Sequence, residues 1–184
     1  RYIMARRALS KTQKVLNPML FNLPILDRTF PIIKSILIYY KNGNKEKILA
    51  KKINHKTYQL DQQLTFNEPF NIGINTYDLL DAAPNKNGVY SIELYINDSL
   101  FFKNKMNEFS FHETKYINSH IDYEHYQNKG EKFQKCFLEP NNKLSTNKKH
   151  TNHLIGENLS NGTHTIHLKI KDSYHNSSEL TFNF

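Results

Sequence analysis

Residues 108–139 concentrate the side chains that could do chemistry: E-F-S-F-H-E-T-K-Y-I-N-S-H-I-D-Y-E-H-Y-Q, then a basic connector, then C-F-L-E. His112, His120 and His125, with Glu113, Asp122 and Glu124, are the richest group of imidazoles and carboxylates in the chain. A catalytic zinc needs three such ligands and one open position. Their spacing matches no metal-binding pattern, and histidines set among tyrosines more often hydrogen-bond locally, so no metal ligand is assigned. Ser119, His120 and Asp122 have the residue types of a hydrolase triad. Nearly contiguous side chains diverge, however, whereas the base of a triad must touch both nucleophile and orienting acid.

The remaining reactive types are weaker still. His164 and His167, three apart on an expected strand, point to opposite faces and cannot share an ion. His164 has the parity of Ile166 and reads as a satisfied histidine at the core edge, while His150 and His153 fall in a polar loop. Cys136 has the parity of Leu138 and reads as a small core residue rather than a nucleophile. What is left of the stretch is a candidate contact surface made of Tyr116, His120, Asp122, Tyr123 and Tyr126. Tyrosine suits contact because it combines a large flat area with a polar tip. A packed plug over one end of the fold accounts for the same residues equally well.

The elements that must hold this stretch are strands. The hydrophobic share is 38%, yet 12% of residues are aromatic, with 12 Phe and 11 Tyr, so large rings fill the interior and favour sheet over helix. A chain of 184 residues suffices for a well-buried core without a covalent staple, and its single cysteine excludes an internal disulfide. The net charge of +8 invites a nucleic-acid reading. Lysines sit singly or in pairs with no nucleic-acid motif around them, so a solvated basic surface is expected instead, with weak attraction to anionic envelope polymers as the alternative. No apolar run reaches the roughly 18 residues that span a bilayer. No signal peptide follows the basic start, and a chain opening on Arg1 reads as part of something longer.

Residues 1–24, punctuated by Asn17-Pro18 and Pro24, read as a linker closing an upstream domain. Residues 25–184 read as one β domain. Strands are expected at 32–40, 46–53 and 57–60. The stretch 69–77 alternates cleanly, with Phe70, Ile72, Ile74 and Thr76 on one face, and is expected to be half-buried. Tyr90, Ile92, Leu94 and Ile96 begin a hairpin that turns at Asn97-Asp98-Ser99 and returns through 100–103. Phe109 and Phe111 share a face of a shorter strand. Period two then stops, and a short helical insertion is expected around 113–128. Strand pattern resumes at 134–138. Residues 143–153 lack an apolar face and read as a mobile loop, and 165–184 closes on a hairpin. Seven to nine short strands with Asn, Gly and Asp turns indicate a mostly β fold, an antiparallel Ig-like β-sandwich. Unequal strand lengths argue against a closed barrel. On this reading Leu94→Asp unfolds the domain, whereas Glu93→Gln, on the outer face, is silent.

K-V-L-N-P-M-L-F (14–21), N-G-V-Y-S-I-E-L-Y-I-N-D (87–98), F-S-F-H-E-T-K-Y-I-N-S-H-I-D-Y (109–123) and F-L-E-P-N-N-K-L (137–144) together carry a family resemblance. The chain from about residue 14 onward resembles the region that follows the catalytic domain in lysostaphin/LytM-type zinc metallopeptidases (peptidase family M-23) of Gram-negative envelopes. That resemblance implies a periplasmic or envelope location and an upstream domain that cuts peptidoglycan cross-links with zinc. It also implies, as partners, that peptidase domain, another envelope protein or peptidoglycan itself. In the family a His-x-His strand precedes the linker. Here residues 1–7 are R-Y-I-M-A-R-R, without histidine, so no zinc ligand carries over. The implied role is a non-catalytic accessory domain, with no cofactor of its own and zinc in the parent family. A stand-alone carbohydrate- or protein-binding module is the other reading.

Overall fold

β-Branched and aromatic runs become strands almost where alternation places them. A computed structural model describes residues 14–21 and 26–184. Most of the expected linker at 1–24 falls on 1–13 and 22–25, outside the described residues.

Twelve strands occur among the described residues: β1 (Lys14–Leu16), β2 (Ile32–Tyr40), β3 (Lys45–Lys52), β4 (Thr57–Leu60), β5 (Phe70–Tyr77), β6 (Ser91–Ile96), β7 (Ser99–Lys105), β8 (Glu108–Ser110), β9 (Gln134–Lys135), β10 (Asn147–Lys149), β11 (Thr165–Lys171) and β12 (Ser177–Asn183). Ten of them form one sheet in the order β10-β7-β6-β11-β12-β4-β3-β2-β5-β9, while β1 pairs with β8. Pairing is antiparallel except between β12 and β4, which run parallel over two residue pairs, Glu179 with Thr57 and Leu180 with Tyr58. The sheet curls, so that side chains from both halves meet. Ile36, Ile38, Ile72 and Ile74 from one half share a single buried cluster with Ile92, Leu94, Ile166, Leu168 and Leu180 from the other. Each such burial contributes about 1.5–3 kcal/mol.

Turns follow local chemistry. Asn97 and Asp98 both take positive φ, at 47° and 65°, the geometry that lets a two-residue turn match the twist of β6 and β7. The expected helical insertion is present. Ser110 caps a 3₁₀ turn at Phe111–Tyr116, which runs into α1 (Ile117–His120). Asp122 then caps α2 (Tyr123–Lys129), and Gly130, at φ 70°, ends it.

Five expectations are corrected. Residues 143–153 include an edge strand: Leu144 and Thr146 are buried, β10 pairs with β7, and Asn104 Nδ2 donates to Thr146 Oγ1 at 3.0 Å and Asn147 Oδ1 at 2.9 Å. Amide hydrogen bonds rather than an apolar stripe hold that strand, so hydrophobic periodicity misses it. β5 is buried on both faces, since Gly73 and Asn75 lie beneath neighbouring groups. At 134–138 only Gln134 and Lys135 join the ladder. Phe111 does not share the face of Phe109; it opens the 3₁₀ turn and is largely exposed. Glu93 is buried rather than outward, with Lys103 Nζ at 2.8 Å and the Tyr95 hydroxyl donating at 2.9 Å, so its replacement is expected to destabilise the fold.

Candidate functional site

The helical insertion is fastened to β3, to the Phe133 backbone and to Ser145 by polar groups. The Asp122 N–H donates to the Phe133 carbonyl at 2.9 Å, and Asp122 Oδ1 accepts from the His125 N–H at 3.0 Å. Lys45 on β3 sets its ammonium 2.9 Å from Asp122 and 2.9 Å from Glu124. Lys47 pairs with Glu131, and Glu113 accepts from the Ser145 N–H at 2.9 Å. Burial pushes the Asp122 carboxyl up, but the His125 N–H and the Lys45 charge outweigh it and hold the group below the usual carboxylate range.

The five residues expected to form a contact surface divide. Tyr123 is exposed, and Tyr116 and Tyr126 are half-buried. His120 and Asp122 are buried and support the surface from below rather than forming it. Burial pushes the His120 imidazole down to about 4, outweighing a contact with the Gln134 side chain that raises it. The side of the insertion facing β5 bounds a hollow of about 530 Å³, lined by Asn75, Tyr77, Lys86, His120, Tyr126 and Lys132 among others. Two cation–π pairs flank it: Lys86 lies 5.0 Å from the Tyr77 ring centre, and Lys132 lies 5.0 Å from that of Tyr126.

The imidazoles and carboxylates of 112–125 do not converge. His112 is exposed, His125 turns to Glu131 at 3.3 Å, and Glu124 faces Lys45. Asp122 points to Lys45 and the His125 N–H, so Ser119, His120 and Asp122 form no relay. Cys136 is buried, and burial pushes its thiol far up, which removes nucleophilic character at neutral pH. His164 is satisfied at the core edge, with Nδ1 2.7 Å from Asn97 Nδ2 and Nε2 2.7 Å from the Ser160 carbonyl.

Sequence spacing missed a different cluster. Asp27 precedes β2, Asp78 directly follows β5 and Asp172 directly follows β11. Their side chains are the one group of three or more His, Cys, Asp or Glu ligands that comes together among the described residues. All three are buried. Burial, then Asp172 and Asp27, push the Asp78 carboxyl up to about 7; burial first also raises Asp172. A signal for two of them was present. Asp78 continues the inward parity of Phe70, Ile72, Ile74 and Thr76, and Asp172 that of Ile166, Leu168 and Ile170, so each places an acid where the core ends.

No family model, curated protein or solved structure matches this chain. The aspartate cluster is all oxygen, which does not fit the histidine-bearing zinc set of the resembled peptidases.

Proposed function

We propose that this chain is a non-catalytic accessory domain, an Ig-like β-sandwich, of a peptidoglycan-directed zinc metallopeptidase in the cell envelope, which orients or restrains the enzyme or contacts envelope partners. The observation that carries the reading is the tyrosine-bearing insertion held on a firm base. Asp122, Glu124, Glu131 and Glu113 tie it to β3 and to the 143–146 segment, and it offers Tyr123 to solvent. A pre-ordered aromatic patch loses little conformational freedom on docking. The stretch of resemblance at 109–123 covers most of this insertion.

The lysine-flanked hollow beside Tyr77 and Tyr126 favours a second reading, a module that binds an anionic envelope polymer by itself. Pelleting with purified peptidoglycan separates the two. Under the second reading the chain alone binds saturably, and Tyr123→Ala or Tyr126→Ala abolishes binding while the circular dichroism stays native. Under the first, the chain alone does not pellet, whereas fusion to an upstream peptidase domain raises that domain's folding yield or murein-cleaving rate, and Tyr123→Ala reverses the gain. No pelleting and no effect in the fusion would defeat both.

A further inference from the structure

We infer that Asp27, Asp78 and Asp172 form a binding site for one divalent cation, and that its donor chemistry selects Ca²⁺. One carboxylate oxygen from each residue lies within 4.8 Å of the other two. Three carboxylates in one dry site suit Ca²⁺, which takes many oxygen ligands, better than Mg²⁺, which keeps several waters and uses one or two carboxylates. The three residues are only 6%, 5% and 1% exposed. Asp78 Oδ1 is buried with no hydrogen-bond partner, and so is the Tyr174 hydroxyl, two residues beyond Asp172, while the Asp27 carboxyl also meets that of Asp81. Among the described residues no Lys, Arg or His forms an ion pair with any of the three carboxylates. Buried carboxylates without a positive partner are costly, and proteins pair them or place them on a metal.

The other faces of the acids are already held. Asp27 Oδ1 accepts from the Thr29 N–H at 3.0 Å. Asp172 Oδ1 accepts from the Tyr174 N–H at 2.9 Å and the Asn176 N–H at 2.8 Å, and Asp172 Oδ2 from Asn176 Nδ2 at 2.6 Å. Asn176 Nδ2 also donates to the Asp27 carbonyl at 3.2 Å, tying the β11–β12 turn to the lead-in of β2. These bonds orient the ligands from behind, as outer-shell groups do in metal sites. With no imidazole or thiolate in the cluster, a hard, oxygen-seeking cation is preferred over zinc or copper. An ion there would join three segments remote in sequence. It would also stiffen the entry of the chain, where Asn17 Nδ2 approaches Ser173 Oγ at 3.5 Å, beside Asp172.

The test is calorimetric titration of CaCl₂ into the chelator-stripped chain at neutral pH, with thermal unfolding alongside. One ion per chain is expected, with a rise in Tm of about 5–10 °C when Ca²⁺ is about a hundredfold above Kd. Asp78→Asn and Asp172→Asn should each weaken binding at least about tenfold by removing a charged ligand, while the exposed Asp61→Asn binds as the native chain does. Tyrosine-sensitised Tb³⁺ emission, displaced by Ca²⁺, reads the same site on the unaltered chain should a variant fail to fold. Absence of both heat and Tb³⁺ emission, or undiminished binding in folded Asp78→Asn and Asp172→Asn, overturns the site. Equal or tighter binding of Mg²⁺ overturns its assignment to Ca²⁺.

Discussion

His120 should make the protein acid-sensitive by an amount that can be isolated. The ring is 3% exposed, and burial pushes it from the ordinary 6.5 to about 4, outweighing the Gln134 side chain, which raises it. It is therefore neutral in the fold and takes up a proton more readily when unfolded. Its contribution is fully present above pH 6.5 and is lost as pH falls toward the folded value. Two and a half units correspond to about 3 kcal/mol, and at about pH 4.5 some 2–3 kcal/mol of it should be gone. Urea unfolding of the native chain and of His120→Met, near in volume and adaptable in shape, reads this as a difference between about pH 7.5 and pH 4.5. Protonation of Asp122, also held below its usual range, destabilises both proteins and cancels in the comparison. The native chain should lose about 2–3 kcal/mol more than His120→Met, or roughly 5–10 °C in Tm. Equal losses would refute the reasoning, because the imidazole would then be hydrated or paired in the fold.

Two further substitutions test the packing. Glu93→Gln should cost about 1 kcal/mol at neutral pH, read by urea unfolding, because Lys103 and Lys171 lose their shared carboxylate. Burial pushes Glu93 up, but Lys103, Tyr95 and Lys171 outweigh it and hold it below the usual range, so this loss should shrink as pH falls through that lowered value and the native carboxylate is protonated too. Gly73→Ala should cost about 1–3 kcal/mol by thermal unfolding, since a Cβ there would lie 2.9 Å from the Tyr39 hydroxyl and 3.0 Å from its ring. Adding Tyr39→Phe removes the nearer atom and should restore part of the loss.

Strands with strong apolar alternation were legible in the sequence. β2 and β4 lie at 32–40 and 57–60 as read, β5 and β6 differ by a residue, and β11 and β12 make up the expected closing hairpin, because an apolar row of each packs in the core. The helical insertion was legible from the opposite sign, the end of period two after His112. What could not be read was anything held by polar groups brought from afar. β10 rests on Asn104, more than forty residues away. Glu93 is outward by parity, yet buried, because Lys103 and Lys171 reach it from the strands on either side. The proposed contact surface lost two of its five members for the same reason. His120 and Asp122 resemble exposed polar residues in a list of letters, but Lys45 and the Phe133 carbonyl hold Asp122 inside, and the ring of His120 is enclosed beneath the insertion.

Both regions of interest meet on β5. Tyr77, its last residue, lines the hollow under the insertion, and Asp78, the next, belongs to the aspartate cluster. Asp78 exchanges two backbone hydrogen bonds with Asn87, at 2.9 and 2.8 Å, closing the loop that carries Lys86 over the Tyr77 ring. A charge drawn to Asp78 therefore acts at the root of that loop. Neutralising the cluster would steady the base of the hollow without touching its lining, since carboxylates that repel one another in a buried space strain the segments that bear them. Inward parity delivers an acid to each of two strand ends once the apolar residues run out, and the curl of the sheet brings those ends together.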